Sequence, residues 1–147
     1  MLVEYFHNKQ KSIGEYPREL RPILNLEHSK VAFDEIKTWN GYAETPLYSL
    51  KKIASQLGVK SIYYKDESSR FGLGSFKALG GTYGVLKFIH HALKKEIGDE
   101  VSMKDIHAGK YSEQISKYTV TTATDGNHGR SVAFGAKLFG CKCQIYI

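Results

Sequence analysis

Apolar residues recur at helical spacing in some stretches of this chain and at strand spacing in others, and the two patterns alternate. Residues 1 to about 28 show no clear period, and Pro17 and Pro22 interrupt any helix there, so this segment is expected to lie as an arm over the domain. Ser29 is placed to cap a helix running to Trp39, with Ala32, Ile36 and Trp39 on one face and Asn40-Gly41 ending it. Thr45-Pro46-Leu47 is extended by the proline rule. Leu50, Ile53, Ala54 and Leu57 predict a helix over 49–57, closed by Gly58. Ser61 to Lys65 reads as a strand. A long helix follows, with Leu79, Tyr83, Leu86 and Leu93 on one face, running to about Lys95 before Gly98. The polar stretch 98–117 reads as a surface insertion with at most a short helix. Tyr118 to Ala123 is β-rich. A helix with Val132, Ala136 and Phe139 on one face comes next, then Gly140, then a strand from Cys141 to Ile147.

Strand, loop, helix is thus written twice, once before residue 77 and once before residue 127. In a doubly wound parallel sheet both loops would lie at the carboxyl edge of the strands, where α/β proteins bind ligands. The arm and first helix, 1–40, separate from a sheet-forming part, 41–147. The last segment is an apolar strand with no polar tail, so a partial chain is expected.

Composition narrows the classes. With 147 residues, 41% hydrophobic and 24% charged, the chain can bury one core. No apolar run is long enough to predict a membrane span, and Met1 to His7 shows no secretory pattern. The formal charge is +6, but the lysines are scattered and form no basic helix or finger, so no nucleic-acid partner is expected. Cys141 and Cys143 alternate along one predicted strand and have no further ligands at metal spacing, which suggests a reduced, cytoplasmic protein without a metal site. His90 and His91 are adjacent on a helix and point about 100° apart, so they cannot grip one ion together.

Two loops carry candidate chemistry. Lys77 follows the glycine-spaced Arg70-Phe71-Gly72-Leu73-Gly74 and opens the long helix as Ser75-Phe76-Lys77-Ala78-Leu79-Gly80-Gly81. A lysine that reacts with a carbonyl must be held and aimed. The same stretch is equally a helix that happens to begin Ser-Phe-Lys. The second loop is Thr124-Asp125-Gly126-Asn127-His128-Gly129-Arg130. Its glycines let backbone approach a ligand, Asn127 offers a donor and an acceptor in one rigid amide, and Asp125 offers a carboxylate. Asp-Gly-Asn is also a common turn. The two loops together are what favour a shared site containing Lys77 and Asn127.

These motifs resemble those of the fold-type II pyridoxal-phosphate-dependent enzymes, the tryptophan synthase β-like group. Ser75-Phe76-Lys77 is similar to the family's cofactor-lysine motif, and Gly126-Asn127-His128-Gly129 to its asparagine loop. Thr45-Pro46-Leu47 and Lys65-Asp66-Glu67 fit the pattern upstream. The resemblance covers about residues 40–147, with four motifs in the family's order. Within the group the stretch 65–81 and the loop 124–130 are most similar to the diaminopropionate ammonia-lyases, Asp125 standing where dehydratases and cysteine synthases usually have a small neutral residue.

The resemblance implies a partial three-layer αβα parallel-sheet fold and pyridoxal 5′-phosphate as cofactor. It implies that Lys77 carries the cofactor, that Asn127 bonds its ring oxygen, and that Lys77 and Asp125 move protons on opposite faces of an amino-acid substrate. The implied reaction takes 2,3-diaminopropionate to pyruvate and ammonia, in an enzyme that is a homodimer at full length. A threonine or serine dehydratase, or a non-catalytic fragment, is the competing reading. His128 is expected to be structural, and Arg130 is open between a carboxylate site and an exposed helix position. The family's phosphate-binding glycine run and its pyridine-nitrogen residue have no counterpart after Asn127. The 147-residue chain alone is therefore expected to be inactive.

Overall fold

Asn25, rather than Ser29, starts the first helix of the computed structural model, which describes residues 7–11 and 14–147. The Asn25 side-chain oxygen accepts from the His28 N–H at 2.7 Å, and the Ser29 hydroxyl donates back to the Asn25 carbonyl at 2.9 Å. The cap therefore sits four positions earlier than the apolar period alone indicates. This helix, α1, spans Leu26–Ile36. Trp39 lies beyond it in a turn and is buried at 2% exposure. Upstream, Arg18–Leu20 forms one 3-10 turn with no buried residue.

Two short strands, β1 (Leu47–Ser49) and β2 (Tyr63–Lys65), pair antiparallel with Tyr48 opposite Tyr64. Helix α2 (Lys51–Gln56) joins them, and its buried residue is Ala54. Helix α3 begins at Lys77 itself and runs to Ile97, where Gly98 ends it. Then come α4 (Met103–His107), α5 (Ser112–Ile115), β3 (Thr119–Ala123), α6 (Asn127–Phe139) and β4 (Lys142–Tyr146). Strands β3 and β4 pair in parallel, Thr119 opposite Lys142 through Ala123 opposite Tyr146, with α6 as the crossover. Gly140 ends α6 at φ 88°, a left-handed C-terminal turn that a side chain would strain. This is the expected β-α-β unit.

Three expectations need correction. The sheets are separate: among the described residues β2 bonds to β1 and neither bonds to β3 or β4. The two candidate loops are therefore not joined through one sheet edge; helix packing joins them instead, as described below. The stretch 98–117 is not a surface insertion. Val101, Ile106, Tyr111 and Ile115 are each under 8% exposed and close one side of the core against Leu86, Ile89 and Leu93. Their irregular spacing matches neither a helical nor a strand period, so pattern reading misses them. Finally, α3 buries Ala78, Thr82 and Val85 in addition to Leu86 and Leu93, while Leu79 and Tyr83 are only half-buried. Small residues turn inward because α6 packs close against them.

His90 takes a structural role, its Nε2 lying 2.9 Å from the Val101 carbonyl. Cys141 precedes β4 and is half-buried, Cys143 is exposed on it, and both are free thiols. Burial pushes both thiols above their ordinary range, which disfavours the reactive thiolate. No helix among the described residues is long and apolar enough to cross a membrane.

Candidate functional site

Helices α3 and α6 lie side by side in the same sense, and that places the two candidate loops at one end. The Ser131 hydroxyl donates to the Lys77 carbonyl at 2.6 Å, and the Thr82 hydroxyl donates to the Ser131 carbonyl at 3.0 Å. One turn on, a Cβ at Gly135 would lie 3.0 Å from Thr82 Cα and 3.1 Å from Val85 Cβ. Residue numbers rise together along both helices, so their N-termini share an end. Asn127 lies four residues before Ser131, about 6 Å of helical rise nearer that shared end.

Close approach of this kind requires glycine. A Cβ at Gly81 would stand 2.2 Å from the Ser131 hydroxyl oxygen, and one at Gly129 would stand 3.0 Å from Thr124 Cγ2 and 3.3 Å from Ile145 Cγ2. Gly81 thus admits Ser131 to the Lys77 carbonyl, and Gly129 lets the first turn of α6 rest on the ends of β3 and β4. Glycine is costly inside a helix, so Gly81, Gly129 and Gly135 carry a packing signal in the sequence.

Lys77 is the first residue of α3, and Asn127 is the first of α6. Lys77 is exposed; its N–H donates to the Ser75 hydroxyl at 3.2 Å and its ammonium sits 5.8 Å from the Phe76 ring centre. Asp125, Asn127, His128 and Arg130 are exposed as well. Arg130 Nη1 lies 3.5 Å from the Asn127 side-chain oxygen, the outer limit of a hydrogen bond. The two helix N-termini, the positive ends of their backbone dipoles, lie at the same end, a setting that favours anionic and electron-rich ligand atoms. A cleft of about 500 Å³ begins one turn past Lys77, between Gly80, Gly81 and Gly84 of α3 and Thr119 to Thr122 of β3, with His128 at its rim. Lys77, Asp125 and Asn127 stand outside it.

The two upstream motifs meet at a partly buried ion pair that pattern reading missed. Arg70, 6% exposed, donates from Nε to Glu67 Oε2 at 2.8 Å and from Nη2 to Glu67 Oε1 at 3.0 Å. It also donates from Nη1 to the Ala43 carbonyl at 2.7 Å and from Nη2 to the Thr45 hydroxyl at 3.0 Å. The Thr45 hydroxyl donates in turn to Glu67 Oε1, and Lys65 Nζ donates to the Thr45 carbonyl at 2.6 Å. Thr45-Pro46 and Lys65-Asp66-Glu67 are therefore one cluster, built beside the loop that leads to Lys77.

The Arg70 guanidinium holds the Glu67 carboxyl down at about 2, against an ordinary 4.5. A carboxyl held below its unfolded value stabilises the fold fully above pH 4.5, and the contribution is lost as pH falls toward about 2. The stability difference between the wild-type chain and Glu67→Gln should thus be full at neutral pH and shrink through that window, followed by denaturant midpoints. A difference that stays flat across the window would contradict it.

A model of the family described as "Pyridoxal-phosphate dependent enzyme" matches residues 38–147, a stretch that contains all four motifs. The chain belongs to that family. Among its relatives, the diaminopropionate ammonia-lyase of Salmonella typhimurium is 42% identical over 147 residues, 99% of this chain and 36% of that protein. A probable D-serine dehydratase of Lactiplantibacillus plantarum is 33% identical over 127 residues, 80% of this chain and 29% of that protein. Among solved structures, the Escherichia coli diaminopropionate ammonia-lyase in complex with an aminoacrylate–PLP azomethine intermediate superimposes with TM-score 0.67 at 37% identity, covering 85% of this chain and 29% of that one. The chain thus spans about a third of the length of the relatives it matches.

Proposed function

We propose that residues 41–147 are the N-terminal part of a pyridoxal-phosphate-dependent catalytic domain, and that the whole enzyme eliminates ammonia from 2,3-diaminopropionate to give pyruvate. The observation that supports this reading most is the Ser131–Lys77 bond between parallel helices, which sets an amine and an amide at one end of the fold. The residues fit the aldehyde end of the cofactor: Lys77 offers the amine, Asn127 offers an N–H to the ring oxygen, and two helix N-termini face the same space. Bound pyridoxal phosphate supplies the electron sink for charge left at Cα. Lys77 Nζ, as a free amine, takes the Cα proton from one face. The Asp125 carboxylate takes it from the other, which lets one site serve both enantiomers. The β-amino group then leaves as ammonia, and the released aminoacrylate takes up water to give pyruvate and a second ammonia.

Similarity to diaminopropionate ammonia-lyases over nearly the whole chain supports this substrate. A cytoplasmic homodimer acting in amino-acid catabolism accompanies the reading. A dehydratase acting on a hydroxy amino acid is the second reading, favoured by the likeness to probable D-serine dehydratases. Turnover of diaminopropionate against serine, in a protein of full family length bearing these residues, separates the two.

The test on the chain itself is reductive trapping. Incubation with pyridoxal phosphate, then borohydride and peptide mapping, should place the pyridoxyl group on Lys77 ahead of every other lysine, without turnover of either amino acid. Label spread evenly over the lysines would sink the assignment of Lys77. Turnover by the 147-residue chain would sink the expectation that a phosphate-binding segment must be added.

A further inference from the structure

The loop before Lys77 holds a backbone conformation that its own sequence does not favour. Phe71 has φ 48°, the one non-glycine residue with positive φ among those described. Gly72 and Gly74 are also left-handed, at φ 68° and 70°. Glycine adopts that region freely, whereas a phenylalanine there is strained. Such a residue persists only where its surroundings over-determine it, and strain of this kind collects at functional sites.

Two adjacent side chains supply the surroundings. Arg70 ties its loop to a separate segment: it binds Ala43 and Thr45 before β1, and Glu67 just after β2. Its guanidinium also stands 5.5 Å from the Tyr42 ring centre. Phe71 points into a set of rings, with Trp39 at 6.0 Å, Tyr42 at 6.4 Å and Phe134 at 5.4 Å between centres. Phe134 belongs to α6, seven positions after Asn127. The loop is thus tied through Arg70 to the β1–β2 unit and through Phe71 to the helix that begins with Asn127.

We propose that Arg70 and Phe71 are positioning residues for the cofactor site: together they fix the loop so that Lys77 stands at a set distance from Asn127. The proposal rests on the reading of Lys77 as the cofactor lysine. Arg70 acts through the loop backbone and Phe71 through the α6 ring, and neither touches the cofactor. Lysine cannot replace Arg70, because one ammonium cannot make the two-pronged bond to Glu67 and still reach Ala43 and Thr45.

The experiment uses the full chain with Arg70→Lys, Arg70→Gln and Phe71→Leu, and Ile106→Ala as a control for lost stability at a distant core position. Reductive trapping with pyridoxal phosphate reports the share of label on Lys77, and hydrogen exchange reports the amides of residues 73–79. In the wild-type chain Lys77 carries the largest share. Each positioning variant should spread the label over other lysines and exchange the loop amides about tenfold faster. Arg70→Lys should behave like Arg70→Gln rather than like the wild type. Ile106→Ala should keep the wild-type share. If the Arg70 variants do not fold, Phe71→Leu, which keeps apolar bulk, carries the same two readouts. An unchanged Lys77 share and unchanged loop exchange in a folded variant overturn the positioning role alone. An unlabelled Lys77 in the wild-type chain overturns the reading of Lys77, and the positioning role with it.

Discussion

Gly135→Leu should lower the thermal unfolding midpoint of the chain sharply. The added side chain starts 3.0 Å from Thr82 Cα, a backbone atom that cannot swing aside, and 3.1 Å from Val85 Cβ. Overpacking a fixed site costs about 1–3 kcal/mol and sometimes more, against the roughly 5–15 kcal/mol that holds a domain together. Here it pries α3 from α6, the contact that covers Val85 and Val132 and brings Ser131 to Lys77. Gly84→Ala is the matched opposite. Nothing lies within 4 Å of a Cβ there, and alanine in a helix interior is better than glycine by about 0.5–1 kcal/mol. Thermal melts followed by circular dichroism should show a lowered midpoint for the first and a raised midpoint for the second. A normal melt for Gly135→Leu would mean that the helices do not approach as described.

The second large effect concerns Asp125. In a protein of full family length carrying these residues, Asp125→Ala should cut turnover of D-2,3-diaminopropionate by about 10²–10⁴-fold, the usual worth of a positioned general base. Turnover of the L-isomer should largely survive, because the proposed scheme assigns that face to Lys77. Asp125 lies in the bend between β3 and α6, two residues before Asn127, so alanine disturbs no buried contact. Equal losses on both enantiomers, measured as kcat/KM, would defeat the two-base scheme.

The β3–α6–β4 unit was legible in the sequence because each element keeps one period and Gly140 marks the stop. Lys77 and Asn127 were legible as helix openings for the same reason. Arg70 was not. A charged residue in a polar loop reads as surface, and its burial depends on acceptors from Ala43, Thr45 and Glu67, which no local pattern connects. The first helix was mis-started because Asn25 and Ser29 are both good capping residues, and the choice was made by Asn25 accepting from His28. The stretch 98–117 was misread because single apolar residues pin it, one every few positions, and periodicity cannot register them. The link between the two loops was expected through a sheet and occurs instead through glycines, whose meaning emerges only when the opposing helix is in place.

The parallel seating of α6 on α3 also bears on how the chain folds. Strands β3 and β4 and the helix between them can close within one short stretch. Ser131, by contrast, must find Lys77 across 54 positions and Thr82 across 49. Closing so long a loop loses chain entropy before any contact repays it. The β-α-β unit can therefore assemble early and present a helix face with nothing yet against it, and docking of α3 then covers that face. The end of the fold where Lys77 and Asn127 stand comes into being in that last step.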